Sequence, residues 1–549
     1  MPQADCTSHP SPMLLQRPPA LPNRTAGRSP YSILAVVCSA MFLDLANLSA
    51  ITIALPTIQK DFGINISDLQ WTISAYALTF GGFLLLGGRG GDIFGHRRIL
   101  LFGMVFFALF SMVCAVSPTF VGLVIARAFQ GIGAAFTIPA AQAHIALNFT
   151  APAMKAKALG IWGAAGSLGF ILGLILGGVL TALLGWRWIF WISLIISGIV
   201  IPAAYFVLPQ IPSPRTASPP PNDGGSTNDC APAPKKGLLQ SIRERLVRFD
   251  ALGISLGVPG ILLLTYALTS ANTEGWGNAK IIATLVISIV MLVIFVLHER
   301  SASQAILAPH LFRNFSFNLT LILAVNTYAV RQACTYFLTV QLQSYGASAI
   351  HTSVLFIPLG VSALIFNTLS GRLVPLLGAR AMFIIGWALS IPGILLFSFI
   401  TEHTSYWRYT FPGMILYIAG IGAVYITANF VVVSSASKSD QGAAAGIFNV
   451  ALQVGGSVLG LAVLTAVAEG IEKTYGDANL PQGELSSVGF RSVYYSCVIL
   501  SAIGLFLSVY AIKVPESMRG SVWKKKPDVR SATEISSTHE LQPVSTQHS

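Results

Sequence analysis

Apolar runs of about 20 residues follow one another along this chain, and a helix of that length crosses roughly 30 Å of hydrocarbon. Lipid offers no partners for backbone N–H and C=O groups, so spans of this kind must be helical. The composition agrees: 54% of the 549 residues are hydrophobic and 10% are charged, against roughly 25% charged in an ordinary soluble domain. That is too little charge to cover a soluble surface. The sequence predicts an all-α integral membrane protein with the lipid bilayer as its surroundings.

Spans are expected at 33–56, 69–88, 99–117, 119–143, 157–184, 187–208, 251–270, 280–298, 316–340, 350–374, 380–400, 410–435, 441–469 and 490–513. They divide the chain into a disordered N-terminus (1–30), a six-helix half (31–208), a linker (209–249), an inserted helix pair (250–300), a second six-helix half (301–514) and a disordered tail (515–549). The linker is rich in Pro, Ser, Gly and Asn, a composition that forms no packed core. Residues 1–30 lack an apolar stretch, so no cleavable signal peptide is expected. The six cysteines are scattered, which suggests neither a metal site nor a disulfide framework.

A net charge of +12 on its own would suggest a nucleic-acid partner, but its distribution reads as topology. With both termini cytoplasmic, 25 of the 33 Lys and Arg residues fall in inner segments. Six fall outside (Lys60, Arg187, Lys280, Arg408, Lys473 and Arg491), and Arg127 and Arg331 lie within spans. The Trp523-Lys524-Lys525-Lys526 cluster reads equally as a contact with anionic lipid and as a plain stop-transfer flank.

Two internal echoes suggest duplication. Gly88, Arg89, Gly95 and Arg97 recur at the same offsets as Gly371, Arg372, Gly378 and Arg380. Gly160, Trp162 and Gly169 recur as Gly446, Phe448 and Gly455. Six spans precede the pair at 251–298 and six follow it. Two six-helix halves around a central cavity is a transporter architecture.

The segment Gly88 to Leu100 carries Gly-x-x-x-Asp-x-x-Gly-x-Arg, and Leu123 to Gly133 includes Arg127-Ala128-Phe129-Gln130-Gly131. The fifth span carries Gly169, Gly173, Gly177 and Gly178. On these motifs the chain resembles the major facilitator superfamily, and within it the fourteen-span drug:proton antiporters, especially fungal members. The resemblance covers roughly residues 31–514 and implies the major-facilitator fold. It also implies a role for Arg127 in proton movement. One departure is Leu174, which stands where the fifth-span signature of antiporters has proline.

The residues carry readings of their own. Asp44 is the one carboxylate deep in an apolar span, about 11 residues or roughly 17 Å from the expected helix start. An intramembrane acid is a proton- or cation-handling site by default, a structural hydrogen bond being the alternative. Arg127 stays charged and is read as tuning Asp44 across the cavity, or else as a fixed anchor. Arg331 either faces the cavity and attracts an anionic or carbonyl-bearing group, or snorkels at an outer boundary. Gly88, Asp92, Gly95, Arg97 and Arg98 form an expected gating loop, with Asp92 clasping Arg97 or Arg98. Gly169, Gly173, Gly177 and Gly178 give a small-residue face expected to pack between the two halves. Candidates for the substrate cavity are Tyr76, Gln130, Asn326, Arg331, Tyr336, Asn449 and Gln453, with Asn429 beside them; the uncharged ones suit interhelical packing or hydrogen bonding better than a substrate contact. His144 is expected near the membrane interface, and Asn65-Ile66-Ser67 is an outer sequon.

The expected function is proton-coupled export of drugs, toxins or secondary metabolites by a monomer in the plasma membrane. The proton gradient would supply the energy, with no cofactor and no metal. The alternatives are an uptake or vacuolar carrier for siderophores or basic amino acids, and a non-transporting nutrient sensor. An ATP-driven pump is disfavoured because no Gly-x-x-x-x-Gly-Lys-(Ser/Thr) loop occurs. Nothing in the sequence forms a constellation for enzyme chemistry.

Overall fold

A computed structural model describes residues 29–64, 69, 71–209, 250–302, 306–475 and 485–510. Nearly all of the expected N-terminus and linker, the whole 515–549 tail, the Asn65 sequon and the Trp523 cluster lie outside these described residues. Within them, fourteen long helices run back and forth. The first six are α1 (Pro30–Phe62), α2 (Trp71–Phe94), α3 (His96–Val116), α4 (Phe120–Asn148), α5 (Pro152–Leu183) and α6 (Arg187–Val207). The inserted pair is α7 (Ala251–Glu274) and α8 (Ala279–Ser301). The second set begins with α9 (Phe315–Ser344) and α10, made of two pieces, Ala349–Leu355 and Ile357–Leu377. It continues through α11 (Ala379–Phe397), α12 (Thr410–Ser435), α13 (Gln441–Tyr475) and α14 (Ser487–Tyr510).

Thirteen of these are both long and apolar enough to cross a membrane. The fourteenth, α9, has the length at 30 residues but carries Asn318, Asn326, Arg331 and Gln332 along it. Outward faces are apolar, as lipid requires. On α3 the exposed residues Phe102, Val105, Leu109, Met112 and Val116 follow at steps of three and four, one stripe of a helix. Helix α1 starts where Ser29 accepts a hydrogen bond from the Tyr31 N–H, and it stops at Gly63 in the left-handed conformation.

The segment expected as a gating loop is not a loop. Helix α2 continues through Phe94, and a single residue, Gly95 at φ +97°, separates it from α3. Gly378 at φ +85° does the same between α10 and α11. A β-carbon is poorly tolerated at these angles, which accounts for glycine in both copies. Arg97 donates to the Tyr205 carbonyl in the last turn of α6, and Arg380 donates to the Val509 carbonyl in the last turn of α14. Each arginine therefore sits at the negative end of a helix in its own half.

The repeated glycines pair crosswise. Gly88 of α2 meets Gly446 of α13, and a β-carbon on Gly88 would lie 3.0 Å from the Gly446 Cα. Gly371 of α10 meets Gly160 of α5, where a β-carbon on either residue would lie 2.8 Å from the other's Cα. These two seams join the halves at the end of the bundle where α1 begins and α14 finishes.

The glycine row of α5 does not lie between the halves, as its spacing had suggested. Gly169, Gly173 and Gly177 pack on Phe42, Ala46 and Ala50 of α1, inside the first half. Gly178 turns away from that seam, with Ile53 Cγ2 at 3.8 Å from its would-be β-carbon. We expect Gly173→Leu to lower the unfolding temperature and the yield of monodisperse protein in detergent. Its β-carbon would strike Ser49 and lie 2.7 Å from the Ala46 Cα, and overpacking costs about 1–3 kcal/mol or more. Gly178→Leu is the control and should leave both unchanged; equal losses in the two variants would contradict this packing.

The inserted pair is not a detached appendage. Leu262 of α7 fits against Gly82 of α2, and Trp71 stacks on Tyr266 with ring centroids 5.9 Å apart. Helix α7 also touches α13 of the other half. Helix α8 lies outside it with Ile282, Val286, Ile289, Val293 and Val296 exposed.

Candidate functional site

Between the halves lies a cavity of about 2030 Å³. Its wall is drawn from α1, α2, α5, α9, α10 and α13, from mid-span outward to residues such as Gln59, Ala182, Ser344 and Glu469. Ile418, Ile421, Gly422 and Tyr425 of α12 also line it, as do Thr265, Leu268 and Thr269 of the inserted helix α7. The cavity therefore opens at the end opposite the two glycine seams. At its floor, Asn449 donates to Gln142, and Asn367 donates to Ser167 Oγ at 3.2 Å, each bond joining one half to the other.

On the first-half wall, Asp44 stands about 21 Å along α1 from Pro30 and accepts a hydrogen bond from the Tyr76 hydroxyl. Behind Tyr76 lies Arg127 of α4, with no exposed surface. Its guanidinium carbon sits 4.5 Å from the Tyr76 ring centroid. Its Nε donates to the Thr72 carbonyl at 3.1 Å. Its Nη1 donates to Asn47 Oδ1 and Gln130 Oε1, both at 2.6 Å. Those acceptors are themselves held, because Asn47 donates to Ser193 Oγ at 3.1 Å and Gln130 to Ser111 Oγ at 2.7 Å. Arg127 and Asp44 form no direct ion pair among the described residues; Tyr76 lies between them.

The second-half wall carries Arg331, whose guanidinium carbon is 5.0 Å from the Tyr328 ring centroid, together with Tyr336, Asn449 and Gln453. Three cavity candidates belong elsewhere. Gln130 is fully buried in the Arg127 network. Asn326 faces α14, where it donates to the Leu500 carbonyl at 2.8 Å. Asn429 is fully buried and off the cavity wall. Leu174 faces the cavity, and with leucine there α5 is continuous.

The opposite end is closed by more than glycine. Asp92 does not clasp Arg97 or Arg98; Arg97 is committed to Tyr205, and Arg98 is exposed. Instead the Asp92 carboxylate accepts the N–H groups of Gly442 at 2.9 Å and Ala443 at 2.8 Å, the first turn of α13 in the other half. An acid at a helix N-terminus satisfies free donors and meets the positive end of the dipole. His96 Nε2 lies 3.4 Å from Asp92, and Arg89 lies 4.0 Å from Asp440 just before α13. His144 lies in the last turns of α4. It is wholly buried, its ring centroid 6.1 Å from that of His96.

Sequence reading missed the partners of Arg127, although Gln130 lies one turn beyond it and Asn47 one turn beyond Asp44. It also missed Gly442, Ala443 and Asp440, and the contribution of α7 to the cavity wall, because none of these belongs to a recognisable spacing.

The sequence pattern of the Major Facilitator Superfamily matches residues 37–340 and again 319–543. The chain belongs to that superfamily. Among curated relatives, this facilitator is 32% identical over 481 residues to a puromycin resistance protein of Streptomyces alboniger, covering 86% of this chain and 88% of the relative. It is 32% identical over 443 residues to a cephamycin export protein of Amycolatopsis lactamdurans (79% and 84% covered). It is also 28% identical over 483 residues to a low affinity ammonium transporter of Saccharomyces cerevisiae (87% of each chain). The facilitator is thus a membrane-embedded transporter of small molecules with drug-efflux relatives.

Proposed function

We propose that this facilitator is a proton-coupled antiporter that exports small hydrophobic organic molecules, such as drugs, toxins or secondary metabolites, by alternating access. The observation that carries the reading is Asp44. It is an acid on the wall of a cavity open at one end, and the other end is held shut by contacts that rigid rocking of the halves can part. The puromycin-resistance and cephamycin-export relatives support the direction. With the termini cytoplasmic, as the basic residues favour, the cavity faces the exterior. The carrier would work as a monomer in the plasma membrane, driven by the proton gradient without a cofactor.

The test is accumulation of a panel of fluorescent hydrophobic compounds in pump-deficient yeast with and without the protein. We expect several-fold lower accumulation of at least one compound, restored by a protonophore. Equal accumulation across the panel, or export indifferent to the protonophore, would count against proton-driven efflux.

An uptake carrier is the second reading, favoured by the ammonium-transporter relative and by Leu174 in place of proline. In that case the same cells would gain proton-dependent uptake of an external solute.

A further inference from the structure

We propose that the cavity takes organic anions, and that Arg331 receives their carboxylate. The proposal rests on the transport reading above and deepens it by naming the substrate class.

Arg331 lies 16 residues into α9, roughly 24 Å from the start and 20 Å from the end of that helix. At that depth its side chain reaches neither surface of a bilayer, so the snorkelling alternative does not apply. The guanidinium keeps its charge. Three carboxylates line the same cavity: Asp44, Glu402 and Glu469. None of them forms an ion pair with Arg331 among the described residues. Asp44 holds the Tyr76 hydroxyl on the opposite half, and Glu469 and Glu402 stand near the open end.

The contrast with Arg127 is instructive. That arginine is sealed from the cavity and held by three side-chain hydrogen bonds, whereas Arg331 faces the cavity with its guanidinium against the face of Tyr328. A structural arginine is furnished with acceptors when the chain folds. An arginine on a cavity wall without an acidic partner is furnished with them by what enters.

The chemistry of the wall narrows the class. A planar guanidinium binds a carboxylate through two parallel hydrogen bonds, a geometry that neutral carbonyls match poorly. Tyr328 and Tyr425 stand together beside it on the cavity wall, their ring centroids 5.7 Å apart, and give it aromatic surface against which an apolar body can rest. Closing the open end would strip water from an unpaired guanidinium, which is costly. A bound carboxylate removes that cost, so occupancy favours occlusion.

The experiment uses the purified full chain in detergent and two dansyl probes of equal apolar bulk, dansyl-phenylalanine and its methyl ester. Wild type should bind the acid about tenfold more tightly than the ester, the effect of one charge-assisted pair. Arg331→Gln should erase the preference by weakening the acid far more than the ester, and Arg331→Lys should restore part of it. Equal affinities in wild type, absence of acid binding, or an equal loss for both probes in Arg331→Gln would overturn the proposal. Unfolding temperatures of the variants separate that last outcome from misfolding. An acid preference lost in Arg331→Gln, together with no protonophore-sensitive export in cells, would leave the anion site standing and sink the export reading instead.

Discussion

We expect Asp44→Asn to reduce proton-driven export to the level of protein-free vesicles while leaving substrate binding intact. The amide is the same size as the carboxylate and still offers an oxygen to the Tyr76 hydroxyl, so the wall of the cavity keeps its shape. What it loses is the capacity to take up and release a proton. The measurement is pH-gradient-driven flux in proteoliposomes, set beside exchange of labelled for unlabelled substrate with no gradient imposed. Exchange needs binding and rocking but no net proton movement, so it should survive in the variant. If uphill flux persists in Asp44→Asn, protons travel by another group and the coupling role assigned here is wrong. If flux and exchange vanish together, Asp44 binds substrate or holds the fold rather than coupling the two.

We expect Gly160→Leu to shift the resting conformation away from the one described, opening the end of the bundle that is now shut. Even a β-carbon at Gly160 would lie 2.8 Å from the Gly371 Cα and from the Asn367 carbonyl oxygen, so a leucine cannot be housed while the seam stays closed. Overpacking of this kind costs about 1–3 kcal/mol, and each 1.4 kcal/mol is about tenfold in an equilibrium. The state with the seam parted escapes that cost and gains in population by roughly five- to more than a hundredfold. Spin labels at positions 98 and 372, both exposed near the closed end on opposite halves, report the separation. We expect a longer distance in the variant and a turnover slowed in step with it. An unchanged distance distribution would mean that the seam does not control this end. Asp92→Asn should move the equilibrium in the same direction by less, since the amide still accepts one of the two α13 N–H bonds.

Much of this was legible in advance, because lipid enforces it. A chain that cannot leave backbone groups unpaired must show its spans as apolar runs, and all fourteen were readable, including the more polar α9. The depth of Asp44, Arg127 and Arg331 followed by counting along helices. What could not be read was which face meets which neighbour. The spacing of Gly169, Gly173 and Gly177 announces a narrow face but does not name α1 as its partner. Gln130 and Asn326 have the chemistry of cavity residues, yet each turns toward another helix, because a rotation of one residue moves a side chain by about 100°. Asp92 was assigned to nearby arginines by proximity in sequence; its true partner lies some 350 residues away. Glycine-rich sequence before Gly95 suggested a loop, but those glycines serve close helix crossing inside a continuous helix.

The crosswise seams also carry a two-fold symmetry. Gly88 and Gly160 occur in one half, and their counterparts Gly371 and Gly446 occur in the other, yet each touches the counterpart of its neighbour rather than its own. A lone six-helix unit carrying both segments would meet a second copy of itself in the same way, through two equivalent contacts. The seams thus have the arrangement that a two-fold dimer of one half would show. Within one chain the two contacts need not be identical. Asp92 caps a helix across one of them, while Pro375 stands at the matching place in the other, so only one seam is held by a carboxylate as well as by glycine.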